Sequence, residues 1–192
     1  MTKKIAFQGE LGAYSHEACA QNYPDMKPLP CRTFEDVINA VNSKDAEFAM
    51  LPVENSTYGR VADSHRLLPS SDLHIVGEAF TRVRISLMAM PGAELSDIKK
   101  VRAHTVLLPQ AAAFLNKHNI HPESAVDSAG AAAELAESGD MTSGVLASEF
   151  AAQIYGLNVL AKNIEDHGHN TTRFLVMSRD CDLSERGNTG ML

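Results

Sequence analysis

Short apolar runs alternate along this chain with stretches whose apolar residues recur at helical spacing, and that alternation constrains the fold more than any other feature. "KIAFQG" ends in Gly9 and gives way to the helical "GAYSHEACAQNY". In "TFEDVINAV", Phe34, Val37, Ile38 and Val41 stand at i, i+3, i+4 and i+7, one face of a helix. Thr33 precedes that face as an N-cap, with Asp36 three residues on. "EFAMLPVENS" then reads as a strand running into a polar turn, and "RVADSHRLL" as a second amphipathic helix. Strands alternating with helices predict an α/β protein with largely parallel sheets.

The second half changes texture. "HIVGEAFTRVRISLMAM" carries little turn signal and alternates at Val83, Ile85, Leu87 and Ala89, so extended chain is expected. "SDIKKVRAHT" gives a short element and "LLPQAAAFLNKHN" a helix. "DSAGAAAELAESGD" is a helix with Ser128 near its start and Gly139 just past its end, and "LASEFAAQIYGL" is one closed by Gly156. "LNVLAKNIED" leads to a closing strand, "TRFLVMSR". Candidate crossings between lobes fall near Glu78–Arg82 and Asn163–Asp166. They assign residues 1–79 plus 164–180 to one lobe, 80–163 to another, and 181–192 to a mobile tail without periodicity. Two lobes joined by two crossings make a hinged cleft, a common place for a small ligand.

Composition narrows the partners. With 44% hydrophobic and 21% charged residues in 192, the chain has the make-up of a folded globular protein. Its net charge of −7 argues against bulk attraction to nucleic acid or an anionic membrane. A small anion remains a fitting ligand, because local donors outweigh a distant mean field. Cys19, Cys31 and Cys181 are scattered, which suits a reducing compartment rather than a disulfide framework. "MTKKIAFQG" lacks the apolar stretch of a signal peptide, and no apolar run approaches the roughly 20 residues that span a bilayer. A cytoplasmic location is expected.

Three polar clusters fall at predicted strand ends, where open α/β sheets bind ligands. In "QGELGAYS" two glycines permit a tight turn, and Ser15 lies at a helix start whose free N–H groups favour an anion. The dinucleotide pattern G-x-G-x-x-G is absent, and taken alone this stretch reads first as a plain strand-to-helix turn. In "LPVENSTYG", capping by Ser56 or Thr57 explains one hydroxyl and leaves Glu54 and Asn55 unexplained. In "HNTTRFLVM", Asn170 suits an Asx-turn, but turn chemistry does not call for Thr171, Thr172 and Arg173 in a row. The histidines of "HGH" and "HNIH" lack the ligand spacing of a zinc site, so no metal is expected. Ser148 lies outside any G-x-S-x-G, and Met88 and Met90 read as core filler.

Taken together, the clusters resemble the prephenate dehydratase family. "AFQGELGAYSHEA" is similar to the family's opening, "LPVENSTYGRV" to its central signature and "NTTRFLVM" to its Thr-Arg-Phe motif. "DSAGAAAELA" and "ASEFAAQIYGLNVLAKNIED" match the intervening pattern, so the resemblance runs from Lys4 to about Met177. It covers the catalytic domain. The small regulatory domain that binds phenylalanine in many members finds no counterpart in the 192 residues. One departure stands out: where the family often reads His-Pro-Gln, "AHTVLLPQAAAFL" keeps His104 and Gln110 but has Thr105 and Val106 after the histidine.

The resemblance implies a two-lobed, hinged α/β fold like the type II periplasmic binding proteins, with the site in the cleft. It implies decarboxylating dehydration of prephenate to phenylpyruvate, with Thr172 as the catalytic residue. Ala13, Tyr14, Ser15, Asn55, Ser56, Thr57, Thr171, Arg173 and Phe174 would be substrate-binding, with Glu54, His104 and Gln110 as further candidates. The substrate is a dicarboxylate on a cyclohexadiene ring, and aromatisation drives the loss of carbon dioxide and hydroxide, so no cofactor is called for. Helix N-termini, hydroxyls and an Arg fork suit the dianion, and a proton donor suits the departing hydroxyl. Thr172 can be that donor, or Glu54 or His104 can supply the proton while Thr172 orients the substrate. Arogenate dehydratase and a non-catalytic module that binds small anions are the rival functions. A homodimer follows by analogy alone.

Overall fold

A computed structural model describes residues 3–180 of the chain; the expectation of a mobile tail over 181–192, and Cys181 with it, lies outside the described residues. In chain order the elements are β1 (Lys4–Gln8), α1 (Tyr14–Asn22), β2 (Lys27–Cys31), α2 (Phe34–Asn42), β3 (Phe48–Asn55), β4 (Gly59–Arg60), α3 (Ala62–Leu67) and β5 (His74–Arg82). There follow β6 (Ser86–Ala89), β7 (Lys100–His104), α4 (Ala112–His118), β8 (His121–Ala125), α5 (Ser128–Ser138), β9 (Ser143–Ala147), α6 (Glu149–Tyr155), β10 (Asn158–Ala161) and β11 (Thr171–Ser178). Among the described residues no helix is long and apolar enough to cross a membrane.

The chain divides into two compact units. The first takes the segment through Glu10, Tyr14–Arg82 and the segment from His169 on; the second takes Leu11–Ala13 and Val83–Gly168. Both crossings therefore come later than the pattern suggested, and local bonding explains why. β5 pairs with β11 as far as Arg82, opposite Thr171, which holds all of β5 in the first unit. Residues 164–166 are tied to the second: Ile164 N–H donates to Ile85 O, Glu165 Oε2 accepts from Ile85 N–H, and Asp166 N–H donates to Gln110 O. Leu11–Ala13 join that unit because Tyr155 Oη donates to Leu11 O and Gly12 sits against α6. Gly12 has φ +90°, and a Cβ there would lie 3.2 Å from Ala151 and Tyr155.

The first unit is an open sheet ordered β2-β1-β3-β11-β5, with β4 paired to β3. Ile5, Ala6 and Phe7 of β1 are fully buried, as a central strand covered on both faces requires. On one face α1 contributes Ala18 and Cys19 to a core with Ile5, Phe7, Met50, Phe174 and Val176. On the other, α2 lays Val37, Ile38 and Val41 against Ala6, Leu51 and Met177. The expected cap is present in full. Thr33 Oγ1 accepts from Asp36 N–H and the Asp36 carboxylate accepts from Thr33 N–H, an arrangement that stabilises a helix by about 0.5–2 kcal/mol.

The second unit is a sheet ordered β10-β6-β9-β7-β8, with α5 and α6 packing Ala131, Ala132, Leu135, Ala151 and Ala152 on Met88, Val145 and Ala147. Both sheets are mixed rather than largely parallel. β1 pairs parallel to β2 and β3, and β7 to β8 and β9. β11 runs antiparallel to both its neighbours, and β6 to β9 and β10. In the first unit the cause is the return of the chain: it enters β11 at the edge where β1 and β3 end.

Candidate functional site

β11 lies between β3 and β5, and its first residues meet the last residues of both. Thr172 pairs across to Asn55 on one side and to Thr81 on the other. Directly opposed residues point to the same face, so Asn55, Thr172 and Thr81 form a row across three strands. Phe174 and Val176 share that face and pack on α1, which places the row on the α1 side of the sheet. Just beside it the register slips: Arg173 opposes Glu54 but Phe174 opposes Pro52, leaving Val53 as the extra residue of a bulge. Its carbonyl accepts from Val61 N–H at 3.0 Å and stands 2.9 Å from His65 Nε2, so β4 and α3 are anchored where the ladder is interrupted.

Asn55 is the centre of the row. Its Oδ1 accepts from Thr57 N–H and Tyr58 N–H, both at 3.0 Å. Two backbone donors on one atom fix the amide's orientation, because only oxygen can accept them. Nδ2 then faces Asn170 Oδ1 at 2.6 Å and Thr172 Oγ1 at 3.0 Å and donates to each. Thr172 Oγ1 is thus an acceptor from Asn55, and its own proton points elsewhere. Among the described residues that proton has no acceptor. The half-buried hydroxyl is held by an amide and presented as a donor.

Ser56 clasps the same junction. Ser56 N–H donates to Thr171 O, Thr171 N–H donates to Ser56 Oγ, and Ser56 Oγ–H donates to His169 O at 2.8 Å. Its single proton is committed to the backbone, so Ser56 fixes the entry of β11 instead of offering a donor to a ligand. Thr57 is exposed beyond it in the turn that Asn55 organises.

The remaining sequence-predicted residues separate by face and by unit. Tyr14 and Ser15 open α1 at the edge where β1 ends, sharing face and edge with Thr172. Thr171 and Arg173 flank Thr172 and by strand alternation point to the opposite face. There Arg173 Nε and Nη2 reach Glu78 Oε2 at 2.9 and 2.8 Å, so its fork is already engaged by a carboxylate of β5. Arg173 and Thr171, read from the sequence as substrate-binding, thus lie on the face opposite Thr172. Phe174, also read as substrate-binding, is 1% exposed; its ring belongs to the core with Phe7 and Phe48 and supports the strand from below. Glu54 is exposed at the end of β3.

Ala13, His104 and Gln110 belong to the second unit. There His104 N–H donates to Ser128 Oγ, and His104 Nδ1 accepts from Val106 N–H. Gln110 Nε2 donates to Val106 O, closing the loop over Thr105 and Val106. Two residues of the first unit escaped sequence reasoning. Asn170, 3% exposed, looked like a turn residue; its place directly before two threonines was the available signal. Thr81, 1% exposed, is an ordinary strand residue by pattern and gave none.

The family model described as prephenate dehydratase matches residues 5–182. A protein of Komagataeibacter europaeus named bifunctional N-acyl-homoserine lactone acylase/prephenate dehydratase is 45% identical, over 91% of this chain and 62% of its own length. Arogenate dehydratase/prephenate dehydratase 2 of Arabidopsis thaliana, a chloroplastic protein, is 39% identical over 92% of this chain and 46% of its own. The chain thus spans about half the length of the curated relatives it matches. Among solved structures, the prephenate dehydratase of Arthrobacter aurescens in complex with L-Phe superposes with a TM-score of 0.84 at 30% identity, covering 92% of this chain and 60% of that one. A structure described as GqqA, a novel type of quorum quenching acylase, gives 0.87 at 44% identity, covering 93% and 64%.

Proposed function

Because the chain belongs to the prephenate dehydratase family, we propose that it converts prephenate to phenylpyruvate and that Thr172 protonates the departing hydroxyl. The observation that carries this reading is the polarity of the Asn55–Thr172 bond. Asn55 donates, so the Thr172 hydroxyl keeps its proton for another acceptor. In the reaction the ring C–O bond breaks as the Thr172 proton moves to the leaving oxygen, giving water. The electron pair of the bond to the ring carboxylate flows into the ring and carbon dioxide leaves. Aromatisation supplies the driving force. The first turn of α1, which begins at Tyr14 and Ser15, favours a carboxylate of the dianion, as the N-terminus of a helix does.

A positioned donor contributes about 10²–10⁴-fold in rate. Thr172→Ala should therefore lower kcat by roughly that factor with little change in KM, while Thr172→Ser keeps part of the rate. Phenylpyruvate absorbance in alkali is the readout, with a protein-free control because acid alone aromatises prephenate. An Ala variant with normal turnover would overturn the assignment. Arogenate, which carries an ammonium where prephenate has a keto group, is the second reading, favoured by the names of the Arabidopsis relatives; relative kcat/KM on the two substrates decides between them. The acylase activity in the name of the Komagataeibacter europaeus protein is tested on the same preparation by release of fatty acid from an N-acyl-homoserine lactone.

A further inference from the structure

Thr81 carries a hydroxyl that the fold does not need. The residue is 1% exposed and its Oγ1 has no hydrogen-bond partner among the described residues. Burying an unsatisfied hydroxyl is unfavourable, and valine would fill the same volume without that cost. Among the described residues the other buried hydroxyls without a partner, those of Ser64 and Ser86, lie elsewhere, one in α3 and one opposite Ala147 in the second unit. Thr81 alone of the three stands in register with Thr172, on the side away from Asn55.

We infer that Thr81 is a positioning residue for Thr172: its hydroxyl donates to Thr172 Oγ1 as that oxygen gives up its proton. The inference rests on the reading of Thr172 as the proton donor. Directly opposed residues on neighbouring strands hold their Cβ atoms about 4.5–5.5 Å apart, so rotation about χ1 of Thr81 suffices to bring its Oγ1 within hydrogen-bond reach. The chemistry supplies the reason. A threonine hydroxyl is a weak acid, and on transferring its proton to the leaving hydroxyl it becomes alkoxide-like. Thr172 Oγ1 has two acceptor positions; Asn55 Nδ2–H occupies one at 3.0 Å, and Thr81 Oγ1–H fills the other as negative charge grows. The pair then acts as a two-donor oxyanion hole for a side-chain oxygen. The proton lost from Thr172 is restored from solvent after water, carbon dioxide and phenylpyruvate depart, and no other reactant is consumed.

The test uses the whole chain with prephenate as substrate. Thr81→Val should fold with an unchanged or higher Tm, keep KM within a factor of about three, and lose kcat by about 10²-fold, the scale for one oxyanion donor. Thr81→Ser should keep most of the wild-type kcat. In a Thr172→Ala background Thr81→Val should cause no further loss, because a group that acts through Thr172 has nothing left to act on. Wild-type kcat in a folded Thr81→Val variant would overturn the inference, as would an equal fold-loss in both backgrounds. Should the valine variant not fold, Thr81→Ala against Thr81→Ser carries the same contrast, and equal kcat in those two refutes the role. Full activity in Thr172→Ala alone would instead refute the assignment of Thr172, so the two failures are told apart.

Discussion

Replacing Asn55 by aspartate reverses one hydrogen bond and leaves the shape of the site untouched. The turn keeps its two donors, Thr57 N–H and Tyr58 N–H, now on a carboxylate oxygen. The other oxygen takes the place of Nδ2, 3.0 Å from Thr172 Oγ1 and 2.6 Å from Asn170 Oδ1. A carboxylate accepts and does not donate, so the Thr172 proton turns toward residue 55 and is no longer offered to another acceptor. If that proton is worth about 10²–10⁴ in rate, the barrier rises by roughly 2.7–5.4 kcal/mol at about 1.36 kcal/mol per decade. Stability should change less. One donated bond is lost and two oxygens are opposed, a cost of about 1–3 kcal/mol that the charge-assisted bonds to the turn and to Thr172 partly offset. The expected result is a folded Asn55→Asp protein, melting a few degrees lower, with kcat down by about 10²–10⁴-fold, measured as phenylpyruvate formed from prephenate beside a thermal melt. A folded variant with wild-type kcat would show that the direction of the Asn55–Thr172 bond is irrelevant, and the reasoning about Thr172 would fall with it.

Three further outcomes follow from the same geometry. Ser56→Ala removes the hydroxyl that holds Thr171 N–H and His169 O, and should cost about 0.5–1.5 kcal/mol and speed hydrogen exchange at Thr171; unchanged exchange there would mean the clasp is dispensable. Arg173→Gln breaks a pair in which both side chains are 44% exposed, so stability should move by at most about 1 kcal/mol and KM by less than about threefold; a large selective rise in KM would put the guanidinium on the substrate after all. His16 is buried and stacked on Phe7 at 5.2 Å, and desolvation lowers its pKa below the ordinary 6.5. Its neutral form therefore supports the fold fully above that value, and the support is lost as pH falls below it. The Tm of the wild type should drop between about pH 7.5 and about pH 5 by more than that of His16→Leu, and parallel curves would contradict the sign.

How much of this was legible in the sequence follows from the range of the interactions involved. The cap at Thr33 and Asp36, the i, i+3, i+4, i+7 face of α2 and the glycine stops at Gly139 and Gly156 are local, and each stands where its pattern placed it. Strands β2, β8 and β9 gave no alternation to read. β2, "KPLPC", is an edge strand. Lys27 N–H and Cys31 O face the β1 side, so Pro28 and Pro30 fall at alternate positions whose missing N–H groups would point away from the sheet. β8 is likewise an edge strand, with Pro122, and β9 is a five-residue run buried throughout between two helices. At the candidate site, the motifs marked segments that meet across β3 and β11 but not which side chains face together. Thr171, Thr172, Arg173 and Phe174 are consecutive, yet strand alternation divides them between two faces, and only Thr172 joins the Asn55 row.

The partners of Thr172 lie far off in sequence: Asn55 is 117 residues away, and Thr81 enters from a third strand. The row therefore exists only after the chain has left the first unit, traversed the second and returned to insert β11 between β3 and β5. Until then Asn55 can satisfy its own turn through Oδ1, but its Nδ2 has neither Asn170 nor Thr172 to meet, and the bulge at Val53 has no opposing strand to be a bulge against. Completing the sheet and orienting the Thr172 hydroxyl are thus the same event. A variant that weakens the β3–β11 junction should consequently lose turnover and the last stage of folding together, whereas Thr172→Ser, which keeps every backbone contact of the junction, should change turnover alone.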